Sequence, residues 1–284
     1  MIDLVTTFNK NIFNEYSKNL VNSFIEKSDD SLRLNIFYEG DFEEIKKKYD
    51  YNNKIRFYEF NSEDWNVFYN KFGHLVEANG YKIIKNKENN KITVDGPSYK
   101  WNAVKFSFKV FSIYLASKLD QISHKIAWID ADTVCIKDIN NKNIEQFLPK
   151  KDELMTYLGR DSFPPTHPHS ETGFIGFNLH HDQFSSFIKT AISFYTTGEV
   201  FALKRYHDCV VYDTTRIIFE MAGNKFRNLS GKFISDEHPF VKCELGNYFD
   251  HLKGQRKILG FSPEHPKNED KSKIEDKKIE LNFV

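Results

Sequence analysis

Two carboxylates two residues apart, Asp130 and Asp132, follow the apolar run Lys125-Ile126-Ala127-Trp128-Ile129. A strand that stops abruptly in acidic residues sets them at its carboxyl end, where open α/β sheets bind their ligands. On an extended segment alternate residues face one way, so both carboxylates are expected on one side. Oxygen ligands of this kind suit a hard divalent cation that also holds the diphosphate of a nucleotide. Asp-x-Asp alone is an ordinary turn cap in many chains. The apolar run in front of it favours a site.

A second island lies far downstream, His251-Leu252-Lys253-Gly254-Gln255-Arg256-Lys257. Its imidazole can complete a metal shell, Gly254 lets backbone approach a phosphate, and Lys257 neutralises one. A nitrogen ligand beside carboxylates favours Mn2+ over Mg2+. By itself this stretch reads as a surface turn; the upstream carboxylates give it a role. Two further acids are candidates for catalysis. Glu171 stands before the Thr172-Gly173-Phe174 run, and Asp208 follows His207 at a helix start with Asp213 nearby. Each is placed to act as a base on an acceptor hydroxyl or to bind its hydroxyls, although Asp208 also suits a helix cap. His167 and His169 flank Pro168 in a loop with Pro164 and Pro165, opened by Arg160 and Asp161. That loop reads as a rigid wall beside an acceptor rather than as a metal site.

Three islands together carry a resemblance. The apolar strand with Asp130-x-Asp132, then Gly173-Phe174-Ile175-Gly176-Phe177-Asn178, then His251-x-x-Gly254-x-x-Lys257 resemble the glycogenin and lipopolysaccharide-galactosyltransferase type of glycosyltransferase. The chain is also similar to bacterial and phage-encoded sugar transferases of the nucleotide-diphosphosugar (GT-A) fold. The resemblance implies that Asp130, Asp132 and His251 bind a divalent metal and that Lys257 contacts the diphosphate of a nucleotide-sugar donor, a UDP-sugar first among them. It also implies that Thr6, Thr7 and Asn9 sit beside the base or ribose. Lys109, on the helix before the Asp-x-Asp strand, would be the basic residue such enzymes present to the diphosphate; otherwise Lys105 and Lys109 mark a solvated helix face. The Pro-Trp familiar after the lysine is replaced by Ile258-Leu259.

Other chemistries use similar residues. A haloacid-dehalogenase-like phosphatase also places Asp-x-Asp after an apolar strand, with the first carboxylate as nucleophile. Its motif normally opens the fold, whereas here a βαβ unit precedes it. A nucleotidyltransferase normally shows a glycine-rich phosphate loop near the start, and Thr6 to Lys10 contains no glycine. A carbohydrate-binding module has no need of paired carboxylates and a distant basic phosphate motif.

The elements that must hold these residues follow from periodicity. Ile2 to Thr7 and Leu32 to Tyr38 read as strands around a helix over Asn14 to Lys27, a βαβ opening that predicts a mostly parallel sheet. Ile55 to Phe60 reads as a strand, Trp65 to Val76 as a helix, and Lys85 to Lys91 as a solvated loop. A helix starting near Ser98 carries Val104, Phe108, Phe111 and Leu115 on one stripe, with Lys105, Lys109 and Ser112 on another. Met155 to Leu158 and Phe174 to Leu179 read as strands, Gln183 to Tyr195 and His207 to Ala222 as helices. The expected architecture is an α/β/α sandwich over 1–261, with a nucleotide-sugar half (1–132), an acceptor half (133–261) and a charged tail (262–284).

The chain has 284 residues, enough for one large α/β domain, and its 40 basic residues balance 40 acidic ones. Zero net charge removes the overall footprint of a nucleic-acid binder. Three cysteines without a CxxC pair argue for reduced thiols rather than a disulfide or zinc scaffold. The polar start and the lack of a long apolar run point to a cytoplasmic protein without a transmembrane segment, with peripheral membrane contact left open. Oligomeric state is not encoded in any of these signals.

Overall fold

Runs rich in β-branched and aromatic residues form β1 (Ile2–Phe8), β2 (Leu32–Tyr38), β3 (Ile55–Glu59), β4 (Lys82–Lys85), β5 (Ile92–Asp95) and β6 (Lys125–Ile129). They continue as β7 (Thr133–Cys135), β8 (Glu153–Leu158), β9 (Glu171–Asn178), β10 (Lys225–Asn228) and β11 (Phe249–His251). The computed structural model describes residues 1–85, 92–160, 169–231 and 238–265. Seven strands make one sheet in the order β10-β8-β9-β6-β1-β2-β3. β1 pairs in parallel with β2 and β6, β2 with β3, and β8 with β10, while β9 runs antiparallel to β6 and β8. The sheet is mixed and mostly parallel, as the βαβ opening predicts. Residues from both expected halves build it: β1, β2, β3 and β6 from the first, β8, β9 and β10 from the second.

Alternation along each strand feeds two cores, one on each face of the sheet. Val5, Phe37, Trp128, Ile175 and Phe177 join the helices Ala103–Ala116, Phe184–Thr196 and Asp208–Met221 on one side. Leu4, Phe8, Ile36, Ala127, Ile129 and Phe174 join the helix Lys18–Lys27 and Phe240 on the other. This parity matters for the site. Odd-numbered Val5 and Phe37, with Trp128, define the face toward the helix Ala103–Ala116, and the residues two further along each strand emerge on that same side.

At the opposite, amino-terminal end of the strands the sheet is locked by a buried ion pair. Asp3, with none of its surface exposed, accepts two hydrogen bonds from Arg33 at 2.7 and 2.8 Å. It also accepts from Asn35 Nδ2 at 2.9 Å and from the Ser123 backbone N–H at 2.8 Å. One carboxylate thereby ties β1, β2 and the approach to β6.

Several local expectations shift. The helix expected from Ser98 starts at Ala103, because the Asn102 side chain accepts from the Lys105 N–H at 2.8 Å; Ser98 instead caps the short 3-10 turn Tyr99–Trp101. That helix lies between the sheet and other helices, so Lys109 and Ser112 are buried and the solvated-face reading fails for them. The entry to the first long helix contains a π-helical turn over Phe13–Ser17. The helix expected over Trp65 to Val76 is Glu63–Phe72, followed by a 3-10 turn Val76–Asn79. Strands β4 and β5 pair antiparallel on either side of the loop expected at Lys85 to Lys91, whose residues 86–91 lie outside the described residues. The tail expected from Ser262 does not begin there. Ser262 and His265 are buried, donating from Ser262 N to Asp250 Oδ2 at 3.0 Å and pairing His265 Nε2 with the Gly246 carbonyl at 2.6 Å. Residues 266–284, Asp161, Pro164, Pro165, His167 and Pro168 lie outside the described residues. No helix among the described residues is long and apolar enough to cross a membrane.

Candidate functional site

The end of β6 does not stay extended. The Thr133 N–H donates to the Asp130 carbonyl at 3.0 Å, closing a turn over residues 130–133, and Asp130 N–H donates to Gly173 O of β9 at 2.9 Å. A turn, rather than strand parity, therefore brings the two carboxylates together. His251 reaches them because β11 pairs antiparallel with β7, His251 opposite Thr133, directly after the acidic turn. The Leu252 N–H closes the seam on the Asp132 carbonyl at 2.9 Å.

His251 Nε2 lies 3.1 Å from Asp132 Oδ1 and 3.5 Å from Asp130 Oδ2. One ligand atom from each of the three residues lies within 4.8 Å of the others. Lys257 Nζ is 3.0 Å from Asp132 Oδ2. Two oxygens and one imidazole nitrogen, with a lysine on the rim, fit a divalent cation with an anionic ligand beside it. Burial lowers the basicity of His251, but the carboxylates of Asp132 and Asp130 outweigh it and hold its pKa up to about 10. A cation entering this triad competes with that proton. Burial likewise pushes Asp130 up, and the Lys109 charge and His251 more than reverse it, so Asp130 is held well below the usual carboxylate range.

Gly173 explains part of the middle island. A Cβ built there would fall 2.6 Å from His251 Cε1 and 2.7 Å from Nδ1, with the Phe240 ring at 3.0 Å behind. The imidazole is 1 % exposed and has no free direction to retreat. Gly173→Ala is therefore expected to displace His251 and weaken Mn2+ binding roughly 10- to 100-fold. Titration calorimetry on wild type and variant checks this, and equal affinities would remove Gly173 from the site.

Lys109 sits at the centre of the arrangement. Its Nζ is 2.8 Å from Asp130 Oδ1 and 2.7 Å from Asp208 Oδ2, and donates to Thr172 O at 2.8 Å. Trp128, two residues before Asp130 on the same face, donates Nε1–H to Asp130 Oδ1 at 2.7 Å. Asp208 is the first residue of its helix, after His207 as N-cap, yet its carboxylate serves Lys109. Glu171 pairs with Lys253 Nζ at 2.8 Å and Arg160 Nη2 at 3.1 Å, with Oε1 4.0 Å from His251 Nδ1. Burial raises its pKa, but Lys253 and then His251 overcome this and hold it well below the ordinary value. A carboxylate so held is a poor proton acceptor near neutrality.

The remaining candidates separate. Asp213 turns away to Ser170, accepting from its N–H at 2.7 Å and its hydroxyl at 2.6 Å, and to Arg216. His207 Nδ1 is 2.7 Å from Cys209 Sγ and burial pushes its pKa down to about 3, so its ring stays neutral. His169 lies 6.1 Å from the His207 ring. Gly254 has φ +63° in open space, a left-handed turn that accounts for the glycine. Thr6, expected at the nucleotide, is wholly buried on the face shared by Leu4 and Phe8. Thr7 and Asn9 stay half-buried on the opposite side, and both donate to Glu39 just past β2, at 3.2 and 3.3 Å. Lys253 and Glu39 were missed in the sequence. Lys253 lies inside the His251–Lys257 island and could have been flagged there, while a lone glutamate after a strand carries no signal.

No family model matches the sequence, and no curated protein matches it. Among solved structures, the chain is similar to mouse xyloside xylosyltransferase 1 in its apo form, with 15 % identity, 80 % of this chain and 85 % of that one covered, and a TM-score of 0.45. It is similar to the bifunctional glycosyltransferase WbbM at 12 % identity and TM-score 0.48, covering 96 % of this chain but 51 % of that one, so it spans about half of WbbM. A third is galactosyltransferase LgtC in complex with donor and acceptor sugar analogs, with 12 % identity, coverage of 75 % and 70 %, and a TM-score of 0.40.

Proposed function

We propose that the chain is a metal-dependent glycosyltransferase that moves a sugar from a nucleoside-diphosphate donor, a UDP-sugar first, to a hydroxyl acceptor. The carrying observation is the convergence of Asp130, Asp132 and His251 with Lys257 at the carboxyl end of β6. A divalent ion held there, Mn2+ by its mixed oxygen and nitrogen ligands, supplies positive charge to the departing diphosphate. Lys257 adds a second charge beside it. Lys109, clamped between Asp130 and Asp208, fixes the first ligand and brings a positive charge to the back of the site. Glu171, Lys253 and Arg160 form a charged wall behind His251 and orient it. The acceptor approaches from the side of Arg160 and Glu171.

The phosphatase reading is less well supported. Its nucleophile would be Asp130, whose Oδ1 is committed to Lys109 and Trp128. The deciding experiment incubates the protein with UDP-, GDP- and CDP-sugars, with and without Mn2+, and identifies the product. Release of nucleoside diphosphate only with metal supports the proposal. Pyrophosphate release would indicate nucleotidyl transfer, and metal-dependent hydrolysis of simple phosphate esters a phosphatase.

A further inference from the structure

The parallel pairing β6·β1·β2 lines up three carboxyl ends on the side of the helix Ala103–Ala116. Val5 is level with Trp128 and Thr7 with Phe37. Asp130, bonded to the Trp128 indole on that face, and Glu39, two residues past Phe37, thus emerge on one side, two strands across and two residues along, roughly 12 Å apart. The span matches the reach of a nucleotide from its diphosphate to its nucleoside. Lys105 and Lys109 follow the same line, four residues and about 6 Å apart along their helix. The Lys105 charge acts on Glu39, and Lys109 holds Asp130.

Glu39 is an unusual residue to leave there. Among the described residues its carboxylate accepts two long hydrogen bonds from neutral groups, Thr7 Oγ1 on Oε1 at 3.2 Å and Asn9 Nδ2 on Oε2 at 3.3 Å. Burial pushes its pKa up to about 7 despite those bonds and the Lys105 charge. Thr7 has a shorter bond elsewhere, to Phe37 O at 2.6 Å, and Asn9 already caps its helix through Oδ1. Neither needs Glu39 for its own place in the fold. A carboxylate accepts about four hydrogen bonds, so each oxygen retains a position for a ligand. Burying such a group half out of water is costly unless something uses it.

We propose that Glu39, held by Thr7 and Asn9, is the residue that reads the nucleoside of the donor, accepting a hydrogen bond from an N–H or O–H edge while the diphosphate lies at Asp130 and Asp132. This deepens the donor-site reading above and rests on it. Base imino or amino groups and ribose hydroxyls share that donor chemistry.

Titration calorimetry in Mn2+ with UDP, GDP, CDP and ADP, and with inorganic pyrophosphate, tests it. Glu39→Ala is expected to weaken the tightest of the four about tenfold or more, as for a hydrogen bond to a charged group, with pyrophosphate affinity unchanged. Glu39→Gln keeps the volume and one acceptor, and is expected to lose affinity and alter the order of preference among the bases. A 2′,3′-dideoxynucleoside diphosphate separates the two donors: a penalty that persists assigns Glu39 to the base, one that vanishes to the ribose. Unchanged nucleotide affinity in Glu39→Ala, or an equal loss for pyrophosphate, overturns the proposal alone. A wild-type protein that binds none of the four overturns the donor-site reading with it.

Discussion

Asp132→Ala is expected to abolish metal-dependent release of nucleoside diphosphate, a loss on the order of 10²- to 10³-fold or more, as when one preorganised charge is removed from a developing anion. The geometry makes this the most damaging single change. Asp132 uses one oxygen on the His251 side at 3.1 Å and the other on Lys257 at 3.0 Å, so it links the imidazole to the lysine ammonium. Removing it takes one of the three proposed metal ligands and unties Lys257. The fold is expected to survive, because the Lys257 side chain is 25 % exposed and can turn to water, while His251 keeps Asp130. Mn2+ affinity by calorimetry, product release and thermal unfolding are measured together. Asp132→Asn, of equal volume, controls for packing. A variant that turns over like wild type would sink the metal mechanism, whatever its stability.

The second large effect concerns stability and lies at the other end of the sheet. Asp3→Ala is expected to cost about 3–5 kcal/mol, since it leaves the Arg33 guanidinium buried without its carboxylate. Arg33 is 9 % exposed and retains only the Gln121 carbonyl at 2.6 Å among its recorded partners. Against a typical total of about 5–15 kcal/mol such a loss approaches unfolding. Urea denaturation gives the number, and the double variant Asp3→Ala/Arg33→Met is expected to recover part of it. Less than about 1 kcal/mol for Asp3→Ala would show that water reaches the pair. The pH dependence has a definite sign. Burial pushes Asp3 up, but the bonds from Arg33, Asn35 and Ser123 win and lower its pKa below the ordinary 3.8. Its contribution is then complete above about pH 4 and is lost as the pH falls through the lower folded-state value. Asp3→Asn is expected to remove that acid-side slope.

Much of the architecture was legible because it is written in local periodicity. The strands at Ile2, Leu32, Ile55 and Lys125 each declare themselves by short β-branched and aromatic runs, and the βαβ order at the start implies parallel pairing. The acidic stop after Ile129 and the His251–Lys257 island were also visible, since they depend on residue type at short spacing. The Asn102 cap and the burial of Lys109 were not. A helix packed on several sides loses the clean amphipathic stripe from which an exposed face is read.

By itself, then, the sequence determined the βαβ opening, a strand ending in two carboxylates and a downstream imidazole with its lysine. Only the tertiary structure decided which of them meet. His251 finds Asp132 across 119 residues through the β7·β11 pairing, and Lys109 reaches Thr172 across 63 because β9 lies beside β6. Thr6 and Thr7 look equivalent in the sequence, yet one faces the closed core and the other faces Glu39. Side-chain parity and strand order set these contacts, and both depend on how distant strands align, which spacing along the chain does not record.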